Sequence, residues 1–174
     1  MCGKYHKMQL SEGYGPGQWY NRLGARSRAF NTPLGRFAFM ICNDRWNADL
    51  ARIPVLDGAR CLLIPSYGFK GAAQDKAVLA LARQNGVPVV EANVGLLLAI
   101  SKGEILKRVK KDTAMIVATI DVPAAPSAAN RDLHERKFLA WRKTEMARRY
   151  RQRLKDPAYS KRTHVPGMEI ERGS

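Results

Sequence analysis

Short apolar runs alternate with helix-like patterns between residues 36 and 121. The runs are brief, several are rich in Val and Ile, and Gly, Pro or charged residues flank them, which is typical of buried strands. They cover residues 37–42, 61–65, 87–94, 96–100 and 115–120. The pattern predicts five strands.

Two amphipathic segments, 47–59 and 71–86, lie between the first three runs and predict helices. In the second segment Val78 and Leu81 share a face, and Gly86 is placed to end the helix in a left-handed C-cap. Strands that alternate with helices in this order predict an α/β fold with parallel strands.

The stretch around Lys102 and Gly103 departs from this order. Two apolar runs are separated by a Lys-Gly turn with no room for a helix, so a β-hairpin is predicted and the sheet is expected to be mixed. Upstream, residues 11–35 are rich in Gly, Asn, Pro and Arg and predict a long irregular segment.

A second unit follows the sheet. Asn130 is a good candidate N-cap for a helix from Arg131 to about Leu154. One stripe of this basic helix carries Leu139, Met146, Tyr150 and Leu154. We therefore divide the chain into a domain at 1–122, a linker and amphipathic basic helix at 123–156, and a flexible tail at 157–174.

Composition narrows the class of protein. Of 174 residues 45% are hydrophobic and 26% are charged, as in globular proteins, and no apolar run is long enough for a membrane span or a secretory signal. The three cysteines have no metal-ligand spacing and are expected to be free thiols. A cytoplasmic protein without membrane contact, metal or cofactor is predicted.

The net charge of +15 raises nucleic-acid binding as a remote alternative. Residues 131–174 contribute +7 of it, with a cluster of arginines around Tyr150. Because no recognised binding motif accompanies the cluster, we interpret it as a solvated helix face and do not expect nucleic acid as a partner.

The run FAFMIC ends at Cys42 and passes directly into the polar residues NDRW. A cysteine at the carboxyl end of a buried strand lies where α/β folds bind ligands, with one accessible side. Such a thiol needs a neighbouring cation or base to act as a nucleophile at neutral pH. Cys61 has no polar exit beside it and is assigned to the core.

Several ordered blocks resemble the carbon-nitrogen hydrolase, or nitrilase, superfamily: GKYHKMQL, TPLGRFAFMICNDRW, DGARCLLIPS, ARQNGVPVVEANVG, SKGEIL and IVATIDV. The family's nucleophile strand is matched by Gly35, Ile41, Cys42, Asp44 and Trp46. The resemblance extends from residue 3 to about 122. It implies an αββα sandwich, here a mixed sheet with helices on one face, incomplete at its N-terminus and extended by the basic helix.

The resemblance also implies a chemistry. In the family a glutamate, a lysine and a cysteine cleave a non-peptide carbon-nitrogen bond through a thioester. Here Cys42 would be the nucleophile, Lys7 the catalytic lysine and the Asn43 backbone N–H an oxyanion donor. Lys7 is favoured over Lys4 by register, and strand alternation would turn His6 away.

The general-base glutamate is absent from its expected place, because the family places it well before the lysine. The chain thus resembles the C-terminal two thirds of a family domain. Candidate accessory residues are Glu12, Asp44, Trp46 and Asn93. Asp44 and Arg45 could pair with each other or shape the loop, Glu91 could face the pocket or solvent, and Asn93 could instead satisfy backbone groups at a strand end.

The first hypothesis is a hydrolase of a small amide or N-carbamoyl substrate, rather than of a nitrile. The alternative is an incomplete, inactive family member that serves as a binding or assembly module. A homodimer or larger homo-oligomer is expected, because C-terminal extensions in the family commonly pack across the subunit interface.

Overall fold

A computed structural model describes residues 3–11, 23–68, 71–124 and 129–155. They form a six-stranded mixed sheet in the order β1-β2-β3-β4-β5-β6. The strands are β1 (Phe30–Thr32), β2 (Gly35–Phe39), β3 (Leu62–Ser66), β4 (Val89–Asn93), β5 (Leu96–Ser101) and β6 (Glu104–Val109). The helices are α1 (Ala48–Leu56), α2 (Ala72–Asn85) and α3 (Arg131–Leu154).

The centre of the sheet is parallel. Strands β2, β3 and β4 run side by side in one direction, while β1, β5 and β6 are antiparallel to their neighbours. Helices α1 and α2 connect the parallel strands, and right-handed crossovers between successive strands place both helices on the same face. This arrangement confirms the predicted mixed α/β sheet with helices on one face.

The core lies between that face of the sheet and the helices. Alternate residues of the parallel strands are fully buried there, and α1 and α2 bury their apolar sides against them. The strand and helix residues with no exposed surface include Ala38, Leu62, Val89, Ile53 and Val78. The carboxyl ends of β2, β3 and β4 consequently meet at one edge of a rigid layer.

Two predicted turns are confirmed. Lys102 and Gly103 both have positive φ angles, of 52° and 72°, and join β5 to β6 as a two-residue hairpin turn whose twist matches that of the strands. Gly86 ends α2 with a φ of 66°, in the left-handed conformation that glycine adopts without steric cost.

The strand predicted at 115–120 is wrong. These residues join no strand ladder within the described ranges, and the carbonyl oxygens of Val117 and Asp121 accept instead from the Lys107 ammonium and the Ser101 hydroxyl. The apolar alternation is real, since exposed and half-buried residues alternate along the segment. Alternation alone cannot provide the neighbouring backbone that a strand requires.

The segment at 11–35 is more ordered at its end than expected. Residues 30–32 form β1 and pair with β2 across a short turn. The Thr32 hydroxyl closes that turn, because it donates to the Gly35 carbonyl and accepts from the Leu34 N–H.

The N-cap prediction for α3 is wrong in its chemistry. Asn130 does precede the helix, but its φ of 69° is left-handed and its side chain makes no capping hydrogen bond. A capping side chain needs an extended backbone to reach the second or third helical N–H.

Helix α3 packs against α1 of its own chain, and Phe138 joins the main core. Of the predicted stripe, Met146 is fully buried, Leu139 and Tyr150 are half-buried, and Leu154 is exposed. The domain division at 122 and the tail at 157–174 stay predictions, and residues 157–174 lie outside the described ranges.

We expect Phe138→Ala to lower the free energy of unfolding by about 3–5 kcal/mol, because it leaves a cavity in the core. Urea denaturation followed by amide hydrogen exchange of β3 and β4 measures the effect. The control Trp141→Ala removes a ring that is 41% exposed on the same helix, and a smaller loss is expected. Unchanged protection of the strands in Phe138→Ala would show that α3 folds separately from the sheet.

Candidate active site

Cys42 lies at the carboxyl edge of the parallel strands. Strand β2 ends at Phe39, earlier than predicted, and Cys42 opens a short 3-10 helix, Cys42–Trp46, with a φ of 51°. A positive φ is uncommon for a residue other than glycine and marks a sharp change of chain direction. The thiol is half-buried, and its Sγ donates to the carbonyl oxygen of Tyr67 at 3.5 Å.

The buried carboxylate of Asp44 connects this helix to the N-terminal segment. It accepts from the Tyr5 hydroxyl (2.8 Å) and from the backbone N–H groups of Gln9 (2.8 Å), Ile41 (2.9 Å) and Met8 (3.2 Å). One of these donors directly precedes Cys42, and two directly follow Lys7. Asp44 therefore fastens the Lys7 segment to the Cys42 turn.

Burial raises the pKa of Asp44, and the hydrogen bonds from Ile41, Tyr5, Met8 and Gln9 partly oppose that rise. The pKa of Tyr5 is raised well above its usual value, first by burial and then by the charge of Asp44. Tyr5 is therefore a neutral donor to this carboxylate.

Lys7 is half-buried between exposed His6 and fully buried Met8. Its carbonyl accepts from the Gly24 N–H at 2.9 Å, and the Arg142 guanidinium of α3 donates to the carbonyls of Met8 and Gly24. The strand assumed for this segment is wrong within the described residues, because residues 3–10 join no strand ladder. The Asp44 and Arg142 side chains and one backbone hydrogen bond from Gly24 hold the segment instead. His6 and Met8 are two residues apart and would share a face of a strand, so exposed His6 and buried Met8 also depart from strand alternation.

Asn43 is buried, and its side-chain nitrogen Nδ2 has no hydrogen-bond partner within the described residues. The first backbone bond of the 3-10 helix runs from the Asp44 N–H to the Ile41 carbonyl. The N–H of Asn43 precedes that bond and is not used inside the helix, as is usual for the first N–H groups of a helix.

Arg45 does not pair with Asp44. Its Nη1 lies 2.5 Å from Glu91 Oε1, and the two side chains are only 2% and 0% exposed. The same nitrogen donates to the Ser66 hydroxyl at 2.8 Å. Glu91 therefore faces neither a pocket nor solvent. This pair could not be predicted from local sequence, because Arg45 in the 3-10 helix and Glu91 in β4 are 46 residues apart in the chain.

The other candidates have separate positions. Asn93 is buried at the end of β4 and accepts from the Gly68 N–H at 3.1 Å, which is the backbone role considered for it. Trp46 is 43% exposed, and the Arg45 guanidinium lies 5.7 Å from its ring. Cys61 is in the core, and burial raises its pKa to about 12. Glu12 lies outside the described residues.

Within the described ranges, no three His, Cys, Asp or Glu side chains are grouped so that they could hold a metal ion. No helix in these ranges is long and apolar enough to cross a membrane. The geometry does bring the turn that carries the half-buried Cys42 thiol and the segment that carries Lys7 together around one buried carboxylate, that of Asp44.

We predict a pH-dependent difference in stability between the wild type and Asp44→Asn. The folded-state pKa of Asp44 is raised, so the folded protein binds this proton more tightly than the unfolded chain does. The stability that Asp44 contributes is therefore greatest at acid pH and declines as the pH rises through the folded-state pKa.

Urea unfolding of both proteins between about pH 7 and about pH 4 measures this difference. The free energy of unfolding of the wild type should rise relative to that of Asp44→Asn as the pH falls. A difference that stays constant or moves the opposite way would contradict the assignment.

Comparison with known proteins gives a family and a fold. A family model for carbon-nitrogen hydrolase matches residues 1–130, and a search of curated proteins finds no match. Among solved structures, a carbon-nitrogen hydrolase from Helicobacter pylori G27 superposes with a TM-score of 0.60 at 23% identity. That match covers 80% of this chain and 57% of the other.

A mutant amidase from Nesterenkonia sp. AN1, in which acrylamide has added to the active-site cysteine, superposes with a TM-score of 0.58 at 20% identity. The match covers 76% of this chain and 57% of the amidase. The chain thus spans less than two thirds of the length of either protein, and at these identities the likeness concerns the fold. The family model covers most of the sequence, and it shows that this chain belongs to the carbon-nitrogen hydrolase family.

Proposed function

We propose that this chain carries the nucleophile and the cationic stabiliser of an amidase-type hydrolase that acts on a small amide or N-carbamoyl substrate. The supporting observation is the Asp44 carboxylate, which ties the Cys42 turn and the Lys7 segment to one another. Cysteine nucleophiles need a cationic or basic neighbour, and the binding of the Lys7 segment to the Cys42 turn supports Lys7 in this role.

In the proposed reaction the Cys42 thiolate adds to the carbonyl carbon of the substrate. The oxyanion that forms is stabilised by the Lys7 ammonium and the Asn43 N–H, and its collapse breaks the carbon-nitrogen bond. The amine leaves with a proton, and a thioester remains on Cys42. Water then hydrolyses the thioester, which releases the acid and restores the thiol.

The proton of the thiol requires a general base. The Asp44 carboxylate accepts from Tyr5 and from backbone N–H groups, and the Glu91 carboxylate is paired with Arg45, so both are already occupied. We therefore propose that the base is the glutamate that the family resemblance expects upstream of Lys7, where residues 1–6 carry none. An amide substrate is favoured over a nitrile because a similar fold belongs to an amidase.

The acylation step can be tested with p-nitrophenyl acetate, because its good leaving group reduces the need for a base. The wild type should release p-nitrophenol in a burst that acetylates Cys42, as read by peptide mass spectrometry. Cys42→Ala should show no burst. Lys7→Met should slow the burst by about 10²–10³-fold, as expected for a lost oxyanion donor.

Lys4→Met is the matched control, because Lys4 is an exposed lysine three residues away on the same segment. Its burst rate should stay within about twofold of the wild type, a factor below that of one hydrogen bond. Equal losses in the two lysine variants would refute the role of Lys7. Acetylation elsewhere with Cys42 unmodified would favour the alternative, an inactive family member that serves as a binding or assembly module.

A further inference from the structure

A chain of buried polar side chains runs behind the carboxyl edge of the sheet. It begins at Arg45, three residues after Cys42, and ends at the loop after β3 that contacts the Cys42 thiol. Buried polar groups are costly unless each finds a partner, so a continuous chain of this kind constrains every group that it contacts. Its members are Arg45, Glu91, Gln74 and Asn93.

The first half of this network starts from the ion pair. Arg45 donates to Glu91 Oε1 and to the Ser66 hydroxyl at the end of β3. The second carboxylate oxygen, Glu91 Oε2, accepts from the Gln74 amide of α2 at 2.8 Å. Glu91 thus links the 3-10 helix that begins at Cys42 to α2, and Arg45 links the same 3-10 helix to β3.

The second half of the network runs from Gln74 through Asn93 to Gly68, in the loop after β3. The side-chain oxygen Gln74 Oε1 accepts from Asn93 Nδ2 at 3.2 Å. The other side-chain atom of this amide, Asn93 Oδ1, accepts from the Gly68 backbone N–H at 3.1 Å. Gln74 has no exposed surface and Asn93 is 2% exposed. Each of these two amides uses its oxygen and its nitrogen in the network.

Tyr67 lies between the two points that the network holds. Ser66 is bound on one side of it and Gly68 on the other, while the Tyr67 side chain is 78% exposed. Packing of its own ring therefore cannot place this residue. Its carbonyl oxygen, which accepts from the Cys42 Sγ, depends on the anchored neighbours for its position.

We propose that Gln74 and Glu91 are positioning residues for Cys42, because together with Arg45 and Asn93 they hold the loop whose Tyr67 carbonyl accepts the thiol hydrogen bond. This inference rests on the proposed function of Cys42 as the nucleophile. A carbonyl accepts from a thiol but offers nothing to a thiolate, so the loop holds the resting thiol in one orientation until its proton leaves.

Gln74→Met tests this proposal, because it preserves the length of the side chain and removes both of its hydrogen bonds. Asn93→Ala is the second variant, in case the first fails to fold, and it frees the Gly68 N–H. In each variant the rate constant for alkylation of Cys42 by iodoacetamide should rise about fivefold, the factor that corresponds to one hydrogen bond. The S–H stretching band, assigned by its loss in Cys42→Ser, should move to higher frequency.

Asn85→Leu is the matched control. Asn85 is also a buried amide on α2, but it lies at the opposite end of the helix and bonds the Leu81 carbonyl. Cys42 should react at the wild-type rate in this variant. Alkylation of Cys61 in the core is measured in every sample as the internal reporter of general loosening.

An unchanged Cys42 rate and S–H band in both Gln74→Met and Asn93→Ala would overturn the proposal. So would a parallel rise in Cys61 labelling, which would assign the network a purely structural role. Neither outcome depends on hydrolysis. A protein without an acylation burst could still show the predicted labelling pattern, so failure of the proposed function and failure of this inference are distinguishable.

Discussion

The carboxylate of Asp44 is the group on which the arrangement of this site depends. A buried ionised carboxylate is tolerated only where donors replace the water that it has lost. Here a phenol and three backbone N–H groups replace it, and they come from two segments of chain that share no strand ladder. Hydrogen bonds to a charged group contribute about 1.5–3 kcal/mol each, which is enough to hold an otherwise irregular segment in place.

A second buried carboxylate, that of Glu91, holds the residues that follow Cys42. Glu91 is neutralised by Arg45 and bonded by Gln74, so the residues after the thiol are fixed to β4 and α2. Two adjacent residues of the short 3-10 helix therefore bind different parts of the fold. Asp44 binds the N-terminal segment, and Arg45 binds the sheet. Breaking such a pair by removal of one partner leaves a buried charge, which typically costs about 3–5 kcal/mol.

The sequence predicted those features that depend on local chemistry. Gly86 and Gly103 have positive φ angles, which glycine adopts without steric cost, so these two positions could be identified from residue type alone. The abrupt change from FAFMI to CNDRW likewise marked where a strand gives way to a turn, although the strand ended three residues earlier than expected. Such signals need no knowledge of what lies nearby in space.

Features set by distant partners could not be predicted in the same way. The choice of Arg45 between Asp44 and Glu91 depends on the register of β3 and β4, and the segment at 115–120 had the right alternation without a neighbouring strand. Asn130 had a suitable side chain but the wrong backbone conformation for a cap. In each case the residue type indicated which interaction was possible. Whether that interaction forms depends on backbone geometry or on residues distant in the chain.

The central claim, that Asp44 brings the Lys7 ammonium and the Cys42 thiol to one site, is tested most directly by chemical cross-linking. A reagent that joins an amine to a thiol over no more than about 6 Å suits this test, because both groups must lie about 3 Å from one reacting atom. Peptide mass spectrometry should find Cys42 linked to Lys7 and not to Lys4, with the link lost in Asp44→Ala. A link to Lys4, or a Lys7 link that persists in Asp44→Ala, would contradict the account.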